Sequence, residues 1–331
     1  MPDYGALVIS LDFEQHWGMR DGAPARRNGH APRADPGPVV AGMLDLFEEF
    51  DVAATWATVG FLFARSKREL EHFAPPPPAR PAYANPALDP YGEPLGEDET
   101  ADPLHFAPSV IDAIRRRPRQ EIASHTFSHF YCLEPGQDRA AFAADLASAV
   151  AIANASGVRL RSIVFPRNQR NPAYDDLLMA AGLCCYRGNP GAWMYRAAAR
   201  RGGRWAARGA RLLDAYVDVA GPLTTPWTVV ARPGGLCDVP ASFFVRPYAP
   251  SRRALEPLRR RRIVASLERA ARAREIVHLW WHPHNFATHT GENLAFLRGV
   301  LEAFAPLRAG EGMRSLTMAE VAQAAQGDAD G

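Results

Sequence analysis

Apolar residues recur along the chain in two rhythms. Short runs rich in aliphatic and β-branched residues, at 6–11, 52–59, 121–124, 162–165, 183–186, 238–244 and 276–281, read as strands. Between them, apolar positions three and four apart predict helices over 39–50, 108–117, 139–155, 173–181, 254–274 and 293–304. Strands alternating with helices predict a parallel sheet with helical crossovers, in a barrel or a doubly wound form. No internal repeat is visible, and the chain reads as one α/β domain.

Two segments break the rhythm. Residues 75–108 hold ten prolines, with "PPPP" at 75–78 and the acidic "GEPLGEDETADP" further on. Such a stretch is a functional loop or disordered. The second, "YRGNPGAWMYRAAARRGGRWAARGARLL", is rich in glycine and arginine. It reads as a solvated surface or as a contact for an anionic part of a substrate.

Composition narrows the class. A chain of 331 residues that is 47% hydrophobic can bury a full core. Its net charge of +2 gives no case for a nucleic-acid or anionic-membrane partner. Lys67 is the only lysine, a bias that GC-rich coding produces, so arginine abundance alone carries no function. The apolar run near the start is broken by Ser10 and Asp12, too short for a signal peptide or a membrane span. Cys132, Cys184, Cys185 and Cys237 show no CxxC spacing and read as reduced thiols. The expected location is the cytoplasm.

Candidate chemistry lies in three separated pieces. In "ALVISLDFEQHWG", counting by two puts Ala6, Val8, Ser10, Asp12 and Glu14 on one strand face. The two acids are then only ~6–7 Å apart, at the strand's carboxyl end. In "SHTFSHFYC", His125 and His129 lie four apart, a spacing at which a helical turn can bring two imidazoles to one ion and which two ordinary polar residues on a helix share. Thr126 stands where a zincin protease needs glutamate, so that protease class is disfavoured. In "EIVHLWWHPHNF", His282 closes a strand before Pro283, His284 lies beyond it near the mouth, and His278 reads as a buried core histidine. Two histidines and one carboxylate leave open positions on a metal, with an acid and a histidine over as base and acid. That set suits hydrolysis of an amide or ester.

In order and content these pieces resemble the polysaccharide deacetylase family (the NodB-homology fold, carbohydrate esterase family 4). The matching stretches are "SLDFE", "SHTFSH", "VFPRNQ", "LWWHPH" and a closing "SLTMAEVA". The resemblance spans roughly residues 5–325. It implies a distorted, incomplete (β/α) barrel of about seven parallel strands, a single catalytic domain over 1–331 with a proline-rich insertion at about 72–107. It also implies His125 and His129 as metal ligands and His282 as general acid. The first motif departs from the family's adjacent aspartates, being Asp-x-Glu. Asp12 is assigned as base and Glu14 as third ligand; strand geometry gives both one face and leaves the exchange open. "FPRNQ" departs from the common Arg-x-Pro-aromatic form. Arg167 is taken to orient the base, because "VRPY" with Arg246 comes too late in the order.

The implied activity is removal of an N-linked acyl group, acetyl first, from an amino sugar by a divalent metal, zinc before other first-row ions. Trp17, Trp280, Asn168 and His284 are the expected substrate contacts, with Trp281 assigned to the core. The prolines would hold the 75–108 segment as a semi-rigid cover over the mouth. A cytoplasmic glycan precursor, nucleotide- or lipid-linked, is the expected partner, its phosphate meeting the arginines between 196 and 211. Two alternatives are hydrolysis of a non-sugar cyclic amide or ureide, and a catalytically silent sugar-binding protein.

Overall fold

A computed structural model of the chain describes residues 1–19, 37–190, 213–214, 216–217, 221, 223–232 and 234–327. Among these residues nine strands form one parallel sheet: β1 Ala6–Phe13, β2 Ala54–Thr58, β3 Gln120–Ser124, β4 Ser162–Ile163, β5 Cys185–Tyr186, β6 Cys237–Asp238, β7 Phe243–Phe244, β8 Ile276–Trp281 and β9 Arg314–Leu316. The order is β6-β5-β4-β3-β2-β1-β8-β7, with β9 paired to the first residues of β1. The crossovers include α1 Gly37–Glu49, α2 Lys67–Phe73, α3 Pro108–Arg116, α4 Arg139–Ala155, α5 Asp175–Ala180, α6 Trp227–Val230, α7 Glu256–Ala273 and α8 Thr290–Glu311, and α9 Met318–Gln326 closes the chain. This is the expected incomplete (β/α) barrel.

Every residue of β1 is buried, as a central parallel strand covered on both faces requires. Its outward side chains, Leu7, Ile9, Leu11 and Phe13, join a core with Met43 and Phe47 of α1, Leu267 of α7 and Leu301 of α8. The inward face carries small residues because a barrel interior is narrow. Ala6, Val8, Ala57, Ala123, Val164, Cys185 and Cys237 meet there, over Met318, Val321 and Ala322 of α9. That helix is fixed by a capping box between Thr317 and Glu320. The amino end of the barrel is thereby filled with apolar side chains, and the polar residues of β1, Ser10 and Asp12, stand above that layer toward the carboxyl end.

Two expectations change. The single strand predicted over 238–244 divides: β6 pairs with β5 at one end of the sheet and β7 with β8 at the other. Pro240 lies in the break and has no N–H for a ladder. Residues 239–242 span the gap, with Ala241 N–H donating to Gly188 O at 3.0 Å and Ser242 N–H to His278 O at 2.7 Å. This division, together with β9, raises the expected seven strands to nine. The segment 75–108 is ordered, with helical turns at Pro77–Ala79 and Pro86–Leu88. Tyr131 N–H donates to Tyr83 Oη at 2.8 Å and Ala84 N–H to Pro135 O at 2.9 Å, tying it to the loop that follows β3. No helix among the described residues is long and apolar enough to cross a membrane.

Candidate active site

The loop after β3 brings His125 and His129 together, but not as a helix. Thr126 and His129 have φ of 64° and 58°, in the left-handed region. The helical turn expected over these residues is therefore replaced by an irregular loop, and its strain has visible compensation. Buried Asp145 of α4 accepts from Phe127 N–H at 2.8 Å, from Ser128 N–H at 3.1 Å and from the Ser128 hydroxyl. Thr126 Oγ1 accepts from Phe130 N–H at 2.7 Å, and Phe61 N–H donates to Phe127 O at 3.0 Å. Burial pushes the Asp145 carboxyl up to about 6, against these three bonds.

Glu14, just past β1, meets both imidazoles. Its Oε2 lies 3.1 Å from His125 Nε2 and 3.1 Å from His129 Nε2. All three residues are at most 5% exposed. Gly18 leaves the space for this carboxylate, since a Cβ there would overlap it. His125 Nδ1 donates to Val164 O at 2.8 Å, which turns the lone pair of Nε2 toward Glu14. Two acceptors at that separation repel each other unless a positive centre lies between them. Ligands ~2.0–2.1 Å from a tetrahedral ion are about 3.3 Å apart, close to the spacing found here. The donor set fits a divalent ion, with imidazole and carboxylate suiting zinc and its first-row neighbours.

Asp12 stands apart from this cluster. Arg187, directly after β5, grips it with two bonds, Nη1 to Oδ1 at 2.6 Å and Nη2 to Oδ2 at 2.8 Å. The same guanidinium donates to Ser10 Oγ at 3.1 Å and Asn168 Oδ1 at 3.2 Å, and lies 4.2 Å from the Trp280 ring centre. Burial raises the Asp12 pKa, but Arg187 and then His282 outweigh it and hold the carboxyl below the ordinary carboxylate range. Glu14 is held well below that range: burial is outweighed by His282 and then by the two imidazoles of His125 and His129 beside it. His282 Nε2 reaches both acids, 3.2 Å from Glu14 Oε1 and 3.7 Å from Asp12 Oδ2. Its side chain is 22% exposed, the most open of the group, so access comes from its side.

The strand-end residues foreseen in β1, the loop after β3 and β8 thus converge. Asn168 and Trp280 border them through Arg187, and His284 sits mostly buried with its ring 5.4 Å from that of His282. Arg167 does not hold Asp12: it is exposed, pairs with Glu134 at 3.3 Å and lies over the Tyr131 ring. Arg187 makes that bond instead, and its position at the end of a foreseen strand was the available signal. Trp17 is not a cleft wall; it is fully buried, donates from Nε1 to His105 O at 3.2 Å and packs edge-on against Phe61. Trp281 is core, stacked on Phe286. His278 is buried as foreseen, between Ser10 Oγ at 2.8 Å and Val239 O at 3.2 Å. The arginines between 196 and 211 lie outside the described residues.

Solved structures share this architecture. A candidate polysaccharide deacetylase from Mycobacterium smegmatis matches with a TM-score of 0.59 and 16% identity, over 98% of this chain and 92% of that one. Another candidate polysaccharide deacetylase, from Pseudomonas aeruginosa PAO1, matches at 0.53 and 11%, over 96% and 89%. The Puue allantoinase matches at 0.52 and 13%, over 98% and 91%. No family model and no curated protein matches the chain. At these identities the likeness establishes the fold, the one that the ordered motifs resemble.

Proposed function

We propose that the chain is a metal-dependent hydrolase that removes an N-linked acyl group, acetyl first, from an amino sugar. One observation carries this reading: a buried Glu14–His125–His129 cluster lies beside an arginine-held carboxylate and a partly open histidine, all at the carboxyl ends of the strands. A divalent ion on Glu14, His125 and His129, zinc in first place, supplies Lewis-acid polarisation of the acyl oxygen and a lowered pKa for water.

The chain's own residues do the rest. Asp12, kept ionised by Arg187, accepts the proton of the attacking water. Arg187 fixes both Asp12 oxygens, so the base does not swing toward the ligand cluster. His282 Nε2 delivers a proton to the leaving nitrogen, a task its reach to both acids and its exposure permit. Trp280 and Asn168 flank this group through Arg187, which supports assigning them to a sugar ring and its hydroxyls.

The likeness to an allantoinase favours a second reading on the same residues, ring-opening hydrolysis of a cyclic amide or ureide. A panel of free, nucleotide-linked and polymeric N-acetylhexosamines, assayed for acetate beside cyclic ureides assayed for ring opening, separates the two. Acetate release that falls ~10²–10⁴-fold in Asp12→Asn and in His282→Ala is the expected result. Undiminished turnover in both variants refutes the mechanism, and saturable sugar binding without turnover supports a silent binder instead. Within the first reading, the arginines between 196 and 211 favour a phosphate-bearing cytoplasmic precursor. Charge reversal there that leaves KM unchanged removes that refinement.

A further inference from the structure

A second cluster of ligating side chains lies outside the site just described. His16 belongs to the helical turn Gln15–Gly18 after β1, and Glu93 and His105 come from the proline-rich segment. One donor atom from each of the three falls within 4.8 Å of the others. His16 Nε2 is 3.0 Å from Glu93 Oε1, and the His16 and His105 rings lie 4.5 Å apart, edge to face.

The state of His105 points to a ligand. Its Nδ1 faces both Asp102 oxygens at 2.8 Å, which sets the proton there and leaves the lone pair on Nε2. That Nε2 is buried, in a residue 8% exposed, and has no hydrogen-bond partner. A buried acceptor without a partner is costly, because the water it gave up is replaced by no bond. A cation removes that cost, and carboxylate–imidazole–metal is the arrangement by which proteins orient metal-binding histidines. His16 and Glu93 are about a quarter exposed, which gives an ion a way in.

We propose that His16, Glu93 and His105 form a second divalent-cation site of the zinc class, with Asp102 orienting His105. The site fastens the proline-rich segment to the turn that directly follows Glu14. It is a staple, with no part in acyl transfer, and it stands whether or not the first cluster hydrolyses an amide.

The test is the Co²⁺ content of the full-length protein after equilibrium dialysis, followed by the visible absorbance of bound cobalt. Wild type is expected to hold two ions per chain, His125→Ala/His129→Ala one, and His16→Ala/His105→Ala one. In the His125→Ala/His129→Ala background, Asp102→Asn keeps every ligand of the second site and is expected to weaken its affinity ~10–100-fold. Added Co²⁺ is expected to slow proteolytic cleavage within 75–108 in that same background. The proposal is overturned if His125→Ala/His129→Ala is folded by circular dichroism yet binds no cobalt. It is equally overturned if a folded His16→Ala/His105→Ala binds as many ions as wild type, or if Asp102→Asn leaves affinity unchanged.

Discussion

Replacing Arg187 by methionine probes the grip on Asp12. The Arg187 side chain is 1% exposed and that of Asp12 6%, and the two share a bidentate pair at 2.6 and 2.8 Å. Arg187→Met keeps much of the volume beside Trp280 but leaves a buried carboxylate without its main partner. Breaking a buried pair from one side costs about 3–5 kcal/mol, mostly the penalty of the stranded charge. Neutralising both sides is far milder, so Asp12→Asn/Arg187→Met is expected to recover most of the loss. Urea unfolding of wild type, both single variants and the double variant at pH 7 gives the cycle, read from midpoints at a common slope. A coupling of about 3 kcal/mol is the expected outcome. Arg187→Lys serves as control, since an ammonium keeps the charge without the planar fork and is expected to fall between. An Arg187→Met loss below about 1 kcal/mol, or a double variant no better than that single one, refutes the assignment of Arg187 as the partner that holds Asp12.

Burial, then Arg187, pulls the His278 imidazole down to about 3, so folding keeps it neutral where the unfolded chain takes a proton. Its contribution is complete above the unfolded value of 6.5 and is lost as pH falls toward 3, by roughly 5 kcal/mol at most at 1.36 kcal/mol per unit; a His278→Gln variant whose stability falls as steeply as wild type between those limits contradicts this. Asp145→Asn presents an amide N–H₂ to donors that need acceptors, with an expected loss of about 1–3 kcal/mol. Because the same loop carries His125 and His129, metal affinity by competitive chelator titration is expected to fall with it, and an unchanged affinity contradicts the anchoring role.

Much of this was legible because the chemistry sits on long, regular strands. β1 and β8 are eight and six residues long, and their apolar runs end in Asp12 and His282. Arg187 escaped notice because β5 has only two residues and opens into a glycine- and arginine-rich stretch that reads as surface. The rule that marked Asp12, a polar residue at a strand's carboxyl end, applies equally to Arg187. The loop shape at His125–His129 was beyond sequence patterns, since it depends on Asp145, which reaches it from another element. Spacing of four is compatible with convergence by either route, so the two histidines meet although the expected helical turn does not form. Trp17 failed for a general reason: aromatic side chains suit a cleft wall and a core equally, and neighbours such as Phe61 decide.

The division of the predicted strand at Pro240 has a bearing on self-association. A parallel sheet that ended openly would offer two rows of N–H and C=O groups to the strand of another molecule. Here the terminal strands β6 and β7 are two residues each, and the chain between them is bonded back to Gly188 and His278. Among the described residues, neither end of the main strand path is long enough to template an added strand. The short crossing between the two end strands thus also shields the fold from growing edge to edge into aggregates.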